Sequence, residues 1–279
     1  MKRFWSHPSL AIGLFGTFLF LMIGVTSLFW TPYPIEEIEI GRRYLAPSWE
    51  HWLGTDRFGR DMLSLAMAGT WTSFLVAIVA VAIGIGVGVP LGLAAAVWGG
   101  PVEWLVLRAT DFVFAFPSVV GAILITAIFG PSAINAIVAI GIFNIPVFAR
   151  MARGGALSVS TLDFVAAGRL AGLGNVMIAY RHVLPNIISL IIVQGTIQMS
   201  LGILAEAGLS YIGLGTQAPA TSLGLMLQEA QNLFLIHPWL TVVPGVTIVL
   251  IVISLNIAGD GLRDAIDPKL RQGNANVLA

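Results

Sequence analysis

Cysteine is absent from this 279-residue chain, which excludes disulfides and thiolate metal sites. Charge is scarce as well: 10% of the residues are charged, where a soluble domain has about 25%. A folded chain this poor in charge could not cover its surface for water. The formal net charge is zero, so bulk charge gives no reason to expect a nucleic-acid partner. Lysine occurs only as Lys2 and Lys269, after Met1 and Pro268, so the Gly-Lys pair of a phosphate-binding Walker A loop is missing. If ATP drives this chain, a separate subunit must hydrolyse it. The four histidines, His7, His51, His182 and His237, all fall outside the long apolar runs, and no His-Glu-x-x-His pattern occurs. An intramembrane enzyme needs catalytic groups facing one another within its spans. No catalytic residue, metal site or bound cofactor is therefore expected on this chain.

What is abundant is apolar sequence, at 57% hydrophobic residues and a mean hydropathy of +0.90. A helix satisfies its own backbone in hydrocarbon and needs about 20 apolar residues to cross it. Six such runs occur: Leu10–Trp30, Trp71–Val97, Leu105–Phe129, Ala133–Ala149, Ile187–Leu209 and Leu240–Ala258. The expected fold is an all-α membrane protein with six transmembrane helices. The first run is too long for a secretory signal and lacks a small-x-small cleavage site, so it reads as a retained anchor. With the N-terminus inside, ten Lys and Arg lie in inner segments and four in outer ones, Arg42, Arg43, Arg57 and Arg60. That bias puts both termini in the cytoplasm. The chain then divides into residues 1–30 (tail and first span), 31–70 (an extracytoplasmic segment) and 71–279 (a five-span core).

The cytoplasmic stretch between the fourth and fifth runs carries most of the functional argument. Ser160 is placed to cap a short helix over Thr161–Ala171, with Asp163 three residues on in the capping-box position. Gly172 and Gly174 supply its stop. The helix is apolar on most faces and lacks the polar face of a helix lying on lipid. It is too short to stand alone in water, so it is expected to be buried against something. A second short element, Ile178–Asn186, should end at Pro185, just before the fifth span.

Asp163–Asn186 resembles the EAA loop of binding-protein-dependent ABC importer permeases, a Glu-Ala-Ala pattern followed by Gly, Ile and a Pro-Asn ending. Gly172, Ile178, His182, Pro185 and Asn186 match at the family's spacing, while Ala166 stands where Glu is usual and Gly168 where the second Ala is usual. Three further segments resemble the dipeptide/oligopeptide/nickel permeases, in particular the second, shorter subunit: His51–Asp61, Glu206–Gly215 and Gly259–Arg271. Leu223 departs from a frequent Trp.

The resemblance implies a type I importer fold with residues 158–186 as the coupling segment. Asp163, Phe164, Ala166, Ala167, Gly168, Arg169 and Gly172 would then meet an ATPase, and His182, Pro185 and Asn186 would shape the loop. It implies a second homologous permease, two ATP-binding subunits that hold ATP and Mg, an extracytoplasmic solute-binding protein, and a place among the lipids of a bacterial inner membrane. The implied cargo is peptide, with nickel chelates or another small solute as alternatives. An ion-gradient transporter is the rival class, but few charges lie mid-span, where such a protein needs them.

Other features divide between packing and function. Gly84, Gly88 and Gly92 share one helix face and suit close helix packing, within the chain or against a partner. In His51–Asp61, His51, Asp56 and Asp61 could be metal ligands, but the alternation with Arg57 and Arg60 favours local ion pairs around turns at Gly54 and Gly59. Arg108 and Asp111 are expected to pair. Gln194 and Gln198 share a face of the fifth span and either line a translocation path or bond a neighbouring helix. Asn135 and Asn144 are weaker candidates. Pro117 and Pro146 are expected to kink their helices, and Glu206 to lie near the outer end of the fifth span, at a partner interface.

Overall fold

The computed structural model describes residues 8–266. Lys2, Arg3, His7 and the Asp-Pro-Lys-Leu-Arg part of the last motif lie outside them. Among the described residues the regular elements are helical, apart from an isolated bridge between Thr55 and Asp61. Helix α1 is Pro8–Thr26, α2 Met62–Trp98, α3 Gly100–Phe114, α4 Ser118–Phe129, α5 Ala133–Ser160, α6 Asp163–Leu170, α7 Asn175–Tyr211, α8 Leu223–Ala230 and α9 Trp239–Ile266.

Five of these, α1, α2, α5, α7 and α9, are long and apolar enough to cross a membrane. The run expected as one straight span over Leu105–Phe129 is instead broken. α3 and α4 meet at 80° and make a sixth crossing only as a pair. Pro117 is the cause: it has no N–H to continue a helix and disfavours helical geometry at Phe116. Pro146 sits within α5 without ending it.

Three helices outrun the expected spans. α2 begins nine residues before Trp71, α5 continues to Ser160, and α7 begins at Asn175. Apolar runs mark only the stretch in hydrocarbon, whereas backbone bonding carries the helix on into water. Pro185 therefore does not end an element. A widened π turn at Ala179–Val183 precedes it, in which the Leu184 N–H donates to the Ala179 carbonyl. This turn relieves the clash a proline ring has with the preceding turn. Asn186 Nδ2 donates to the His182 carbonyl at 2.6 Å, satisfying an acceptor there.

The glycine stripe of α2 packs within the chain. A Cβ on Gly84 would lie 2.6 Å from Cβ of Asn144, and one on Gly88 or Gly92 still closer to the main-chain carbonyls of Ile145 and Ala149 on α5. α1 approaches α9 in the same way, with Gly13 against the backbone of Ala258. Without a hydrophobic drive in lipid, such close contact supplies the van der Waals attraction that holds helices together. At one end of the bundle Phe74, Ile203, Leu223, Ile251 and Leu255 join α2, α7, α8 and α9. At the other, Val89, Phe148, Val165, Ile178 and Ile187 tie α6 and the start of α7 to α2 and α5.

Candidate functional site

Two places in this bundle are incomplete, and the sequence-predicted site residues fall in or beside them. The first is α6 with its flanks. Ser160 does not cap it: α5 runs through Ser160, whose hydroxyl donates back to the Ala156 carbonyl at 2.7 Å. α6 starts at Asp163, with Leu162 as an N-cap that makes no side-chain bond. Asp163 still places a carboxylate in the first turn and Arg169 a cation in the last, as the helix dipole favours.

The glycine stop is as expected. Gly172 has φ +81°, its N–H reaches the Arg169 carbonyl at 3.0 Å, and the Leu173 N–H reaches Gly168 at 3.1 Å. Together these form a Schellman ending, which needs a residue free to adopt the left-handed conformation. Of α6 only Val165 and Gly168 are buried. Phe164, Ala166, Ala167 and Arg169 are exposed, and Leu170 is 90% exposed. The expected burial is thus only partly met within this chain. His182 lies behind the helix, its ring centroid 6.2 Å from that of Phe164 and its Nε2 buried without a partner.

The second place is a cavity of about 790 Å³ walled by the α3–α4 bend, α5 and α7. Its lining is apolar except for Ser118, Asn144, Gln198 and Tyr211, and none of the lining residues carries a formal charge. Gln198 is buried there. Gln194, one turn nearer α6, is half-buried and is not part of the lining. Asn135 has a structural task, its Nδ2 donating to the carbonyls of Phe129 and Gly130 in the loop before α5.

Polar groups elsewhere are satisfied in ways that sequence spacing did not disclose. Asp111 pairs with Arg108, its expected partner, at 4.0 Å and also with Arg150 of α5, which spacing did not disclose. Arg153 pairs with Glu103, so two ion pairs clasp α3 to α5. Glu206 is fully buried inside the chain, which corrects its expected place at a partner interface. It accepts from the hydroxyls of Ser73 at 2.9 Å, Ser210 at 2.7 Å and Thr216 at 3.2 Å. Of these partners only Ser210, one turn on, was within reach of a helical-spacing argument.

The His51–Asp61 segment is a polar knot. Asp61 caps α2 through the Ser64 N–H and pairs with His51 at 3.0 Å. Asp56 holds Arg60 at 2.6 Å, and Glu229 of α8 bridges Arg57 and Arg60. Gly54 and Gly59 both turn with φ near +80°. These residues form the expected local ion pairs, and the described residues hold no cluster of three or more metal-ligating side chains.

Residues 88–272 match the family model described as "Binding-protein-dependent transport system inner membrane component". The chain is 39% identical to the dipeptide transport system permease protein DppC of Alkalihalophilus pseudofirmus, over 97% of this chain and 89% of that one. It is 37% identical to the glutathione transport system permease protein GsiD of Pectobacterium atrosepticum, covering 97% and 91%. It is likewise 37% identical to the di/tripeptide permease DppC of Pseudomonas aeruginosa, covering 97% and 93%. Its fold is similar to that of the inward-facing MetNI methionine ABC transporter, with a TM-score of 0.61 at 19% identity over 74% of this chain and 98% of that chain. The chain belongs to the binding-protein-dependent ABC importer permeases, the inner-membrane components of these transport systems.

Proposed function

We propose that this chain forms half of the translocation path of a peptide importer and transmits to it the work of ATP hydrolysed elsewhere. The observation that carries this reading is the uncovered apolar face around α6. Phe164, Leu170, Val176 and Tyr180 are exposed beside a rigid Schellman turn. Apolar area left in water costs about 25 cal/mol per Å², so covering this face stabilises whatever binds it. An exposed patch on a helix fixed at both ends is a docking surface.

On this reading residues 158–186 couple the core, 71–279, to one of two ATP-binding subunits that hold ATP and Mg. Asp163–Gly172 make the contact, and His182, Pro185 and Asn186 fix the angle at which α7 leaves it. Both termini and α6 face the cytoplasm of a bacterial cell, as the Lys and Arg bias supports. Residues 31–70 face the extracytoplasmic binding protein, and residues 1–30 add an anchor. A second, homologous permease supplies the other half of the path, and this chain does no covalent chemistry.

Binding of ATP must favour one arrangement of the permeases over the other, or nothing would move. Gln198 lines the path on this chain's side. Peptide cargo is supported by relatives whose names refer to dipeptides, di/tripeptides and glutathione, all of which contain a peptide group.

The test is purification from native membrane followed by reconstitution into vesicles. Recovery with a second permease and two ATPases, and peptide uptake that stops without ATP, are the expected results. A chain that comes out alone and transports without ATP would return the gradient-driven transporter.

A further inference from the structure

We infer that Asn144 of α5 and Gln198 of α7 form a carboxamide site that hydrogen-bonds the main-chain amide of a passing peptide. This inference rests on the peptide-importer reading above and names the chemistry of the path wall. Both residues line the same cavity of about 790 Å³, within the size range of sites that enclose small organic ligands. Asn144 is 5% exposed, and its Nδ2 is buried with no hydrogen-bond partner. Gln198 is 7% exposed, and its side chain also makes no hydrogen bond among the described residues. An unpaired carboxamide N–H at the depth of the membrane spans is costly and demands an explanation. A structural explanation would show the two side chains bonded to each other or to a neighbouring helix, as Asn135 and Glu206 are bonded.

The chemistry of the lining selects the ligand. A carboxamide offers a donor and an acceptor side by side, as a peptide group does. One can therefore meet the other with complementary bonds, whatever side chains the peptide carries. No lining residue is charged, so this wall meets a peptide through neutral hydrogen-bonding groups. The apolar remainder of the wall tolerates varied side chains without binding any one of them firmly. Gly84 lets α2 approach Asn144 this closely, since a Cβ there would lie 2.6 Å from Cβ of Asn144.

The experiment uses the complete importer in vesicles, with its second permease, ATPases and binding protein. Uptake of a dipeptide is compared with that of the same dipeptide methylated on its peptide nitrogen. The delivering protein's own preference is common to wild type and variants, so it cancels when their preferences are divided. Wild type is expected to favour the unmethylated peptide. In Asn144→Ala and Gln198→Leu that preference should fall about threefold to tenfold, the value of one or two hydrogen bonds, with complex yield unchanged. If Asn144→Ala does not assemble, Asn144→Ser and Gln198→Leu supply the same ratio. A wild type that does not distinguish the two peptides, or variants that keep the full preference, would overturn the inference. A wild-type complex that takes up no peptide with ATP would instead defeat the importer reading, before any variant is compared.

Discussion

The two ends of α7 are built to opposite principles. Near its C-terminus Glu206 accepts from three hydroxyls drawn from α2, α7 and the following loop, and Asp56, Asp61 and Glu229 nearby are all paired. About 45 Å away, at a rise of 1.5 Å per residue, α6 and the start of α7 leave Phe164, Leu170 and Tyr180 uncovered and His182 Nε2 unbonded. One end is finished by its own side chains, and the other leaves apolar side chains uncovered. Buried polar groups at the finished end therefore report on stability. Under the proposed function, exposed apolar groups at the unfinished end report on assembly.

Breaking the finished end should have the largest effect. Glu206→Ala leaves three hydroxyls without their acceptor in a buried site, at a cost of about 3 kcal/mol or more. Loss of monodisperse protein and a lower melting temperature in detergent are the expected results, and an unchanged melting curve would refute the anchoring role. Next comes the seam between α2 and α5. Gly92→Leu forces side-chain atoms into the Ala149 carbonyl, which should cost about 1–3 kcal/mol, read as thermal unfolding of the purified chain. A stable Gly92→Leu protein would mean that the two helices are not held by this contact.

The unfinished end should respond in a different currency. Leu170→Glu alters a side chain that is 90% exposed, so stability should move by less than about 0.5 kcal/mol. Recovery of the ATPase with the permease should nonetheless fall about tenfold, the equivalent of about 1.4 kcal/mol. Equal recovery in a pull-down would remove α6 from the coupling surface. Smallest is Gly172→Ala, where no atom lies near a new Cβ and only the φ of +81° is strained. It should cost about 1 kcal/mol and lower the helix signal of the isolated chain slightly. An effect several times larger would show that the turn is in contact with more than solvent.

Much of the molecule was legible without coordinates because it follows from local or one-dimensional rules. The scarcity of charge and the six apolar runs announced a membrane bundle. The Gly84, Gly88 and Gly92 register gave a packing face, and Gly172 gave the stop of α6. Ion pairs in His51–Asp61 followed from alternating charge within eleven residues. The same local logic misled where a helix had no reason to stop. Ser160 looked like a cap, yet α5 simply continued through it. Pro185 looked like a terminator, yet a π turn absorbed it.

The sequence by itself determined that this chain is a helical membrane permease, which stretches are apolar enough to span, and which short segment carries an apolar helix between the fourth and fifth of them. Those properties are set by composition, by periodicity and by motif order along the chain. Only the tertiary structure decided that Asp111 pairs with Arg150, that Glu206 gathers hydroxyls from positions 73 and 216, and that Asn144 and Gln198 share a cavity beside an 80° bend. Each of these depends on which helix faces are brought together. In lipid that choice rests on the close fit of small residues and on the pairing of polar groups far apart in sequence, since every helix is apolar enough to pack against any other.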